Sequence, residues 1–385
     1  MRLGDSRDEA VFRAELRGWL RAHVPPAAPD APQEWTAEEL RAWSKALNEA
    51  GFAGLTWPVG HGGRGLSPAY QAIYAEESAL VGAPDHANVI GLNMVGPTIV
   101  RHGTPAQQAA FLPRILSGDT MFCQGFSEPD AGSDLAAIRT RARPCSGGYR
   151  IDGEKVWSSY AHLADYCLLL ARTEPEAPKH RGLTCFLLDM RAPGVQVRPL
   201  REMSGDADFN QIILTDVLAA GDTVLGPVGE GWRVAMTTLA HERGTFGITL
   251  TSRLAVELDR LVQTATALRA DRDPVVRREI ADLYVELQGL RFTGYRALAG
   301  LERTGEPSPE STVLKLRWSL ANQRLTALAF RLLGGAAAAD SAAEFWGGYW
   351  QKRRLRSRTN TIEGGTSEIL RGIVAERVLG LPRSR

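Results

Sequence analysis

The chain has 385 residues, 44% of them apolar, and its 45 basic residues stand against 44 acidic ones for a net charge of +1. That length exceeds one ordinary core and calls for two or three packed domains. The balanced charge gives no reason to expect nucleic acid or an anionic membrane as the main partner. No membrane span is expected, since a run such as "YCLLLA" is far too short, and the charged opening "MRLGDSRDEAVFRAEL" has no signal-peptide pattern. The four cysteines, Cys123, Cys145, Cys167 and Cys185, form no C-x-x-C motif. They read as free, mostly buried thiols of a soluble, cytoplasmic protein, and no metal site is expected.

In chain order, "DEAVFRAELRGWLRAHV" places Val11, Phe12, Leu16, Trp19 and Leu20 on one stripe at helical spacing. "PPAAPDAPQEW" breaks that helix. "TAEELRAWSKALNEAGF" predicts a second, with Thr36 as N-cap, Glu39 completing a capping box and Gly51 as the stop. Ser67-Pro68 and Thr104-Pro105 each read as a cap followed by proline at the first helical position. From about Met121 the pattern changes to short β-rich runs, among them "YRIDGEKVWSS", "LTCFLLDM" and "NQIILTDV", separated by turns and with no helices between them. After "GPVGEGW" long helical patterns return as an antiparallel bundle. The expectation is an α+β multidomain chain. It has an N-terminal helical domain over residues 1–120, a middle antiparallel β-barrel or sandwich over 121–226 and a C-terminal antiparallel helical bundle over 227–385.

"GHGGRG", Gly60 to Gly65, satisfies G-x-G-x-x-G, and Asp85 lies about twenty residues on. The context fails. Pro58 sits where a central strand should run, and the helix starts only after the glycines. A glycine-rich connection between helices is the better reading.

"FCQGFSEPDAGSDLAAIRTRA" is the most specific stretch. Pro129, Asp130, Gly132 and Ser133 are turn formers, Gly132 lets a ligand approach the backbone, and Ser127 and Ser133 offer hydroxyls. Turn chemistry alone favours a plain β-turn entering the sheet. The segment nevertheless resembles the S/T-E-P-x-x-G-S-D signature of the acyl-CoA dehydrogenase family. "IDGEKVWSS", "DADFNQIILTDV", "GPVGEGWRVAMTTLAHERG", "LLGG" and "IEGGTSEI" resemble further family motifs in the expected order. The likeness runs over essentially the whole chain.

The resemblance implies an FAD-dependent enzyme that desaturates acyl-CoA thioesters, with a glutamate taking the α-proton and flavin N5 the β-hydride. Ser127 would bond the flavin's pyrimidine edge, Trp157 would lie against the ring system, Ser159 would reach the N5/O4 side, and Ser133 would meet the CoA arm. On residue type alone a strand tryptophan is more often core than cofactor contact; the matched motif favours the cofactor. An electron-transfer flavoprotein would accept the electrons. A homo- or hetero-oligomer, dimer or tetramer, is expected, a neighbouring subunit completing the flavin site.

Many relatives place the base directly before Gly-Thr in the last motif, where this chain has Gly364. Glu363 is one residue too early and Glu368 lies beyond the turn. A second branch places the base in L-x-x-E-R on the first long helix of the C-terminal domain, and "LAHERG" supplies Glu242 with Arg243 beside it. Leu239 and Phe246 share the Glu242 face, and an apolar setting would raise its pKa toward neutrality; a solvated Glu-Arg pair is the rival from spacing alone. Arg243 would be structural or thioester-facing, and His241 would point elsewhere. Gly364 and Gly365 would let backbone approach the cofactor, while Thr366, capping a helix to Gly380, and Glu368 would touch FAD.

Many relatives carry an R-x-x-F-G contact after the long helix; here that region reads "ALRADRDPVVRREIADL", without the motif, and Arg269, Arg272 and Arg278 all remain open as replacements. "QKRRLRSR", Gln351 to Arg358, reads as a solvated helix face or as a contact to FAD or CoA phosphates. Two rivals to the dehydrogenase stay open: a non-catalytic subunit of a heteromeric assembly, and an oxygen-using flavin oxidase or monooxygenase.

Overall fold

The computed structural model describes residues 4–25, 35–244, 246–305, 308–335 and 348–382, with the side chains of 242–246 outside that description. Helices come first: α1 (Arg7–His23), α2 (Ala37–Glu49), α3 (Pro68–Leu80), α4 (Gly96–His102) and α5 (Pro105–Ser117). Eight strands follow: β1 (Phe122–Gly125), β2 (Arg141–Cys145), β3 (Gly148–Ser159), β4 (Tyr166–Arg172), β5 (Leu183–Asp189), β6 (Val195–Leu200), β7 (Phe209–Ala220) and β8 (Val224–Leu225). Helices return as α6 (Gly231–Gly244), α7 (Phe246–Ala267), α8 (Pro274–Thr304), α9 (Pro309–Leu333), α10 (Tyr349–Arg356) and α11 (Ser367–Ile373). The fold is of the expected α+β class, helical at both ends with the β-sheet between. No helix among the described residues is long and apolar enough to cross a membrane.

The chain condenses into two compact units, each assembled from separate segments: 35–65 with 85–242, and 1–34 with 66–84 and 243–385.

The first unit holds the sheet. Its strand order is β6-β7-β3-β2-β4-β5-β8, with β1 on β4. Most pairings are antiparallel as expected, with two exceptions. β1 runs parallel to β4, Phe122–Gly125 against Tyr166–Leu169, and β2 meets β4 in parallel at Arg141 and Arg172. Parallel neighbours need a long connection, and here β2 and β3 intervene between β1 and β4. Residues of β4 are buried on both faces. Cys167, Leu169 and Ala171 join Ile151, Phe186 and Ile212 in one core, while Leu168 and Leu170 join Trp57, Ile99, Ile115 and Leu187 in another. An alternating strand buried on both sides reads as a continuous apolar run, as "CLLLA" does. The helices around this sheet are well capped. Thr36 and Glu39 form the expected capping box on α2, and Thr104 forms one with Gln107 on α5. The "GHGGRG" stretch makes a single 3₁₀ turn, Val59–His61, left by Gly62 at φ 85°. This is a connection, with no strand leading into it. Cys123, Cys167 and Cys185 are buried and Cys145 is partly exposed; all four are free thiols.

The second unit is helical. Leu250, Leu254, Leu258 and Leu261 on α7 meet Leu283, Leu287 and Leu290 on α8, Trp318, Ala321, Leu325 and Leu328 on α9, and Trp350 on α10. On α1, Phe12, Leu16 and Leu20 are buried at four-residue spacing, but Val11 stands 63% exposed. It is one position off the i, i+4, i+8 row that faces the core. Trp19 is only partly buried and stacks on His23 at 4.2 Å. Ser67 precedes α3 without a side-chain capping bond, so Pro68 at the first helical position marks that start. α1 is fastened to α3 by the buried Glu77, which accepts from Arg13 at 3.0 Å and from Arg17 at 2.7 Å.

Candidate functional site

The motif residues fall into two clusters, one in each unit. In the sheet unit the turn after β1 doubles back at once: Glu128 N–H donates to the Ala131 carbonyl at 3.1 Å and Ala131 N–H to the Glu128 carbonyl at 3.0 Å. The expected β-turn is there, and a buried ion pair pins it. Lys155, without exposed surface, extends from β3 to donate to the Glu128 carboxylate at 2.8 Å and to the Phe126 carbonyl at 3.0 Å. Glu128 also accepts the backbone N–H groups of Arg139 at 2.6 Å and Thr140 at 2.9 Å. Burial pushes the Glu128 carboxyl up, but Lys155 and these hydrogen bonds outweigh it and hold it below the usual carboxylate range. Burial pushes the Lys155 ammonium down, and Glu128 offsets that only in part. Both residues lie inside the quoted motifs, yet reading the sequence missed their pairing. The signal was a lysine inside a β-rich run, just before Val156 and Trp157.

The pinned turn sits beside a distortion in β3. The register against β7 shifts between Lys155 and Ser158, and Trp157 takes φ 62°. Left-handed backbone is costly for a bulky residue, and such strain collects at functional sites. The bulge turns the indole outward. Trp157 is 61% exposed and touches Phe209 edge-on at 5.9 Å. Leaving that side chain in water forgoes roughly 1.5–3 kcal/mol of burial. Ser127 is partly buried, and its carbonyl accepts Val156 N–H at 2.9 Å, which ties the turn to the bulge. Ser159 is partly buried and pairs with Phe209 across the ladder. Between them, the Ser158 hydroxyl and the Asn210 side-chain carbonyl are buried with no hydrogen-bond partner among the described residues. Ser133 is exposed at the far end of the turn, next to Gly132, where a side chain would meet nothing within 4 Å.

In the helical unit the cluster is the turn before α11. Gly364 has φ 61° and Gly365 φ 98°, conformations that favour glycine. Thr366 caps α11 as expected, its hydroxyl accepting Ile369 N–H at 3.3 Å. Regular α-helix ends at Ile373, and a π-helical turn, Val374–Val378, continues it toward Gly380. Glu368 is exposed and lies 3.5 Å from Arg371. Glu363 is held by Arg356 at 2.8 Å and by the Asn360 amide at 2.7 Å. Asn360 in turn accepts from Asn322 at 2.8 Å and from Ser319 at 2.6 Å. From α9, Lys315 donates to the Gly365 carbonyl at 2.8 Å. Reading the sequence missed this lysine, which lies fifty residues from the turn it supports. The basic run Gln351 to Arg358 is not a solvated face. Arg353 lies 3.4 Å from the buried Glu257, and Arg356 belongs to the Glu363 network.

Glu242 and Arg243 lie on the last turn of α6, and their side chains fall outside the described residues, as does that of Phe246. Leu239 packs partly buried against the sheet unit's core, and His241 is exposed. Two hydroxyl contacts fasten α6 to α4: a buried one from Thr238 to Thr98 at 3.0 Å, and a partly buried one from Thr237 to His102 at 2.9 Å. Arg269, Arg272 and Arg278 are exposed around the α7–α8 connection.

Comparison with known proteins adds three findings. Family models for the acyl-CoA dehydrogenase N-terminal, middle and C-terminal domains match residues 6–119, 123–217 and 229–379. The acyl-CoA dehydrogenase IpdE1 of Mycobacterium tuberculosis is 41% identical over 98% of this chain and 99% of its own length. Among solved structures, one described as "Tcur3481-Tcur3483 steroid ACAD" superposes with a TM-score of 0.87 at 30% identity, covering 100% of both chains. The ChsE4-ChsE5 complex from Mycobacterium tuberculosis gives 0.86 at 28% identity over 100% of both chains. FAD is the cofactor of that family. The residues present fit it: an outward indole offers a flat apolar face, and the hydroxyls and unpartnered polar atoms beside it suit a polar-edged ring.

Proposed function

The chain belongs to the acyl-CoA dehydrogenase family, and from that premise we propose that it converts an acyl-CoA thioester to the 2,3-enoyl-CoA with Glu242 as the α-proton base. FAD, when bound, supplies the acceptor for the hydride from the β-carbon. The protein's part is to orient the thioester, exclude water and hold the base.

The observation that carries the choice of base is the fate of the other glutamates. Gly364 occupies the position where many relatives keep the carboxylate. Glu363 is committed to Arg356 and Asn360, and Glu368 faces water beside Arg371. Both therefore stand among polar partners or solvent and not in an apolar cleft. Glu242, one turn beyond the partly buried Leu239, is the one left of the three glutamates weighed as base. In this reading Ser127, Trp157 and Ser159 meet the flavin ring, Gly364, Gly365, Thr366 and Glu368 contact FAD through the last motif, and Ser133 and Arg243 serve the acyl-CoA.

Two finer points follow the relatives. The solved structures quoted above are described by paired chain names, which supports a heteromeric assembly. One of them is described as a steroid ACAD, which supports a bulky, steroid-derived acyl group. An electron-transfer flavoprotein is the proposed acceptor. The deciding experiment mixes the FAD-loaded protein with a panel of acyl-CoA esters and follows flavin bleaching. Glu242→Gln should slow bleaching by about 10²–10⁴-fold; bleaching at the normal rate removes Glu242 from the role. A protein that takes up flavin only with a partner chain favours the heteromeric assembly.

A further inference from the structure

The basic run of α10 carries more charge than its neighbours neutralise. Arg353 faces Glu257 at 3.4 Å, and Arg356 faces Glu363 at 2.8 Å. Arg354 and Arg358 differ. Neither has a carboxylate within ion-pair distance among the described residues. Arg354 reaches only the Gln323 carbonyl at 3.4 Å, and Arg358 only the Ser357 hydroxyl at 3.5 Å. The Arg358 Nε is buried and has no hydrogen-bond partner among the described residues. The two residues are four apart where α10 passes into the 3₁₀ turn Ser357–Thr361, so they share a face. Like charges at that spacing repel, and burial followed by the Arg354 charge pushes the Arg358 guanidinium below its usual range.

The backbone beneath them is braced. Ser357 is buried, its hydroxyl donates to the Arg354 carbonyl at 2.8 Å, and it accepts from Thr326 of α9 at 3.1 Å. Gln323 donates to the Ser357 carbonyl at 3.0 Å. A rigid support therefore holds two guanidinium forks together with no anion supplied by the described side chains. Guanidinium forks match phosphate oxygens in pairs.

We propose that Arg354 and Arg358 form an anion subsite for a phosphate group, carried either by the pyrophosphate of FAD or by the phosphates of CoA. The proposal rests on the dehydrogenase reading, which brings both ligands to the protein. It also gives this chain a phosphate contact of its own, although no R-x-x-F-G follows its long helix.

The test is calorimetric titration of the full chain, with its partner if it purifies as a complex, using FAD, CoA and inorganic pyrophosphate. Arg354→Gln/Arg358→Gln should weaken pyrophosphate at least tenfold, and FAD or CoA by a similar factor. The arm that falls identifies the source. Arg354→Lys and Arg358→Lys, which keep the charge and lose the fork, should lie between; they also serve if the double variant does not fold. Arg331→Gln, removing a surface pair with Glu279, should change nothing. Wild-type affinities in the double variant, or no pyrophosphate binding by the wild type, would overturn the subsite. Wild-type protein that oxidises acyl-CoA while the variant matches it in every titration sinks the subsite alone. Wild-type protein that never takes up FAD sinks the dehydrogenase reading, while pyrophosphate binding lost in the variant would still support the subsite.

Discussion

The two motif clusters are held in different ways. In the sheet unit, a buried ion pair clamps a turn against a strand whose bulge forces a tryptophan into left-handed backbone. In the helical unit, consecutive glycines take the left-handed positions at little strain, and a buried lysine grips the backbone between them and the cap. The first arrangement places a side chain, so the residue must be bulky and the backbone bears the strain. The second shapes main chain, so the residue must be glycine and its neighbours supply the rigidity. Strain at a non-glycine residue is therefore the stronger pointer to function, because glycine would have relieved it.

This contrast can be broken by substitution. The largest effect is expected from Lys155→Met, which leaves the Glu128 carboxylate buried without its cation. Loss of one partner of such a pair costs about 3–5 kcal/mol. Urea unfolding should record it, and adding Glu128→Gln should recover part. A loss below about 1 kcal/mol would mean the clamp does not hold the turn.

Next comes acid. His86, buried under α5 in the sheet unit, accepts Asn88 N–H at 3.1 Å on one ring nitrogen and lies 3.1 Å from the Leu116 carbonyl on the other. Burial depresses its pKa from 6.5 to about 4. The folded ring stays neutral to about pH 4, while the unfolded chain gains a proton near 6.5. Its stability contribution is therefore complete above pH 6.5 and is lost as pH falls through that window. At about 1.4 kcal/mol per unit the loss approaches roughly 3 kcal/mol. His86→Gln should flatten this part of the unfolding profile.

Gly365→Ala should cost about 1–3 kcal/mol in thermal unfolding, since a methyl group at φ 98° would also press to 3.2 Å from Leu370. Trp157→Ala should change stability least, within about 0.5 kcal/mol, because the indole is mostly in water. Its FAD affinity should nonetheless fall. Loss of stability without loss of affinity would reverse the assignment of the two clusters.

Much of the fold was legible. Helix stripes, capping boxes and short β-rich runs gave the order of elements because each is a local pattern. The surroundings of α10 were not: its basic run read as a solvated helix face, because the buried Glu257 that faces Arg353 lies far away in the chain. Val11 was misplaced because the row that faces the core runs through Phe12, Leu16 and Leu20, and Val11 lies to one side of it. At the site, motif positions were readable, but their supports were not. Lys155 and Glu128 lie 27 residues apart, and Lys315 and Gly365 lie 50 apart. A charged residue in a motif looks chemical until its partner is known. Here Lys155, Glu128 and Glu363 spend their charge on architecture.

The cysteines carry a practical consequence. Three of the four thiols have no surface, and Cys145 alone reaches solvent, at the end of β2. A maleimide dye should therefore couple once per native chain, giving a single-position label on the sheet unit without any engineered cysteine.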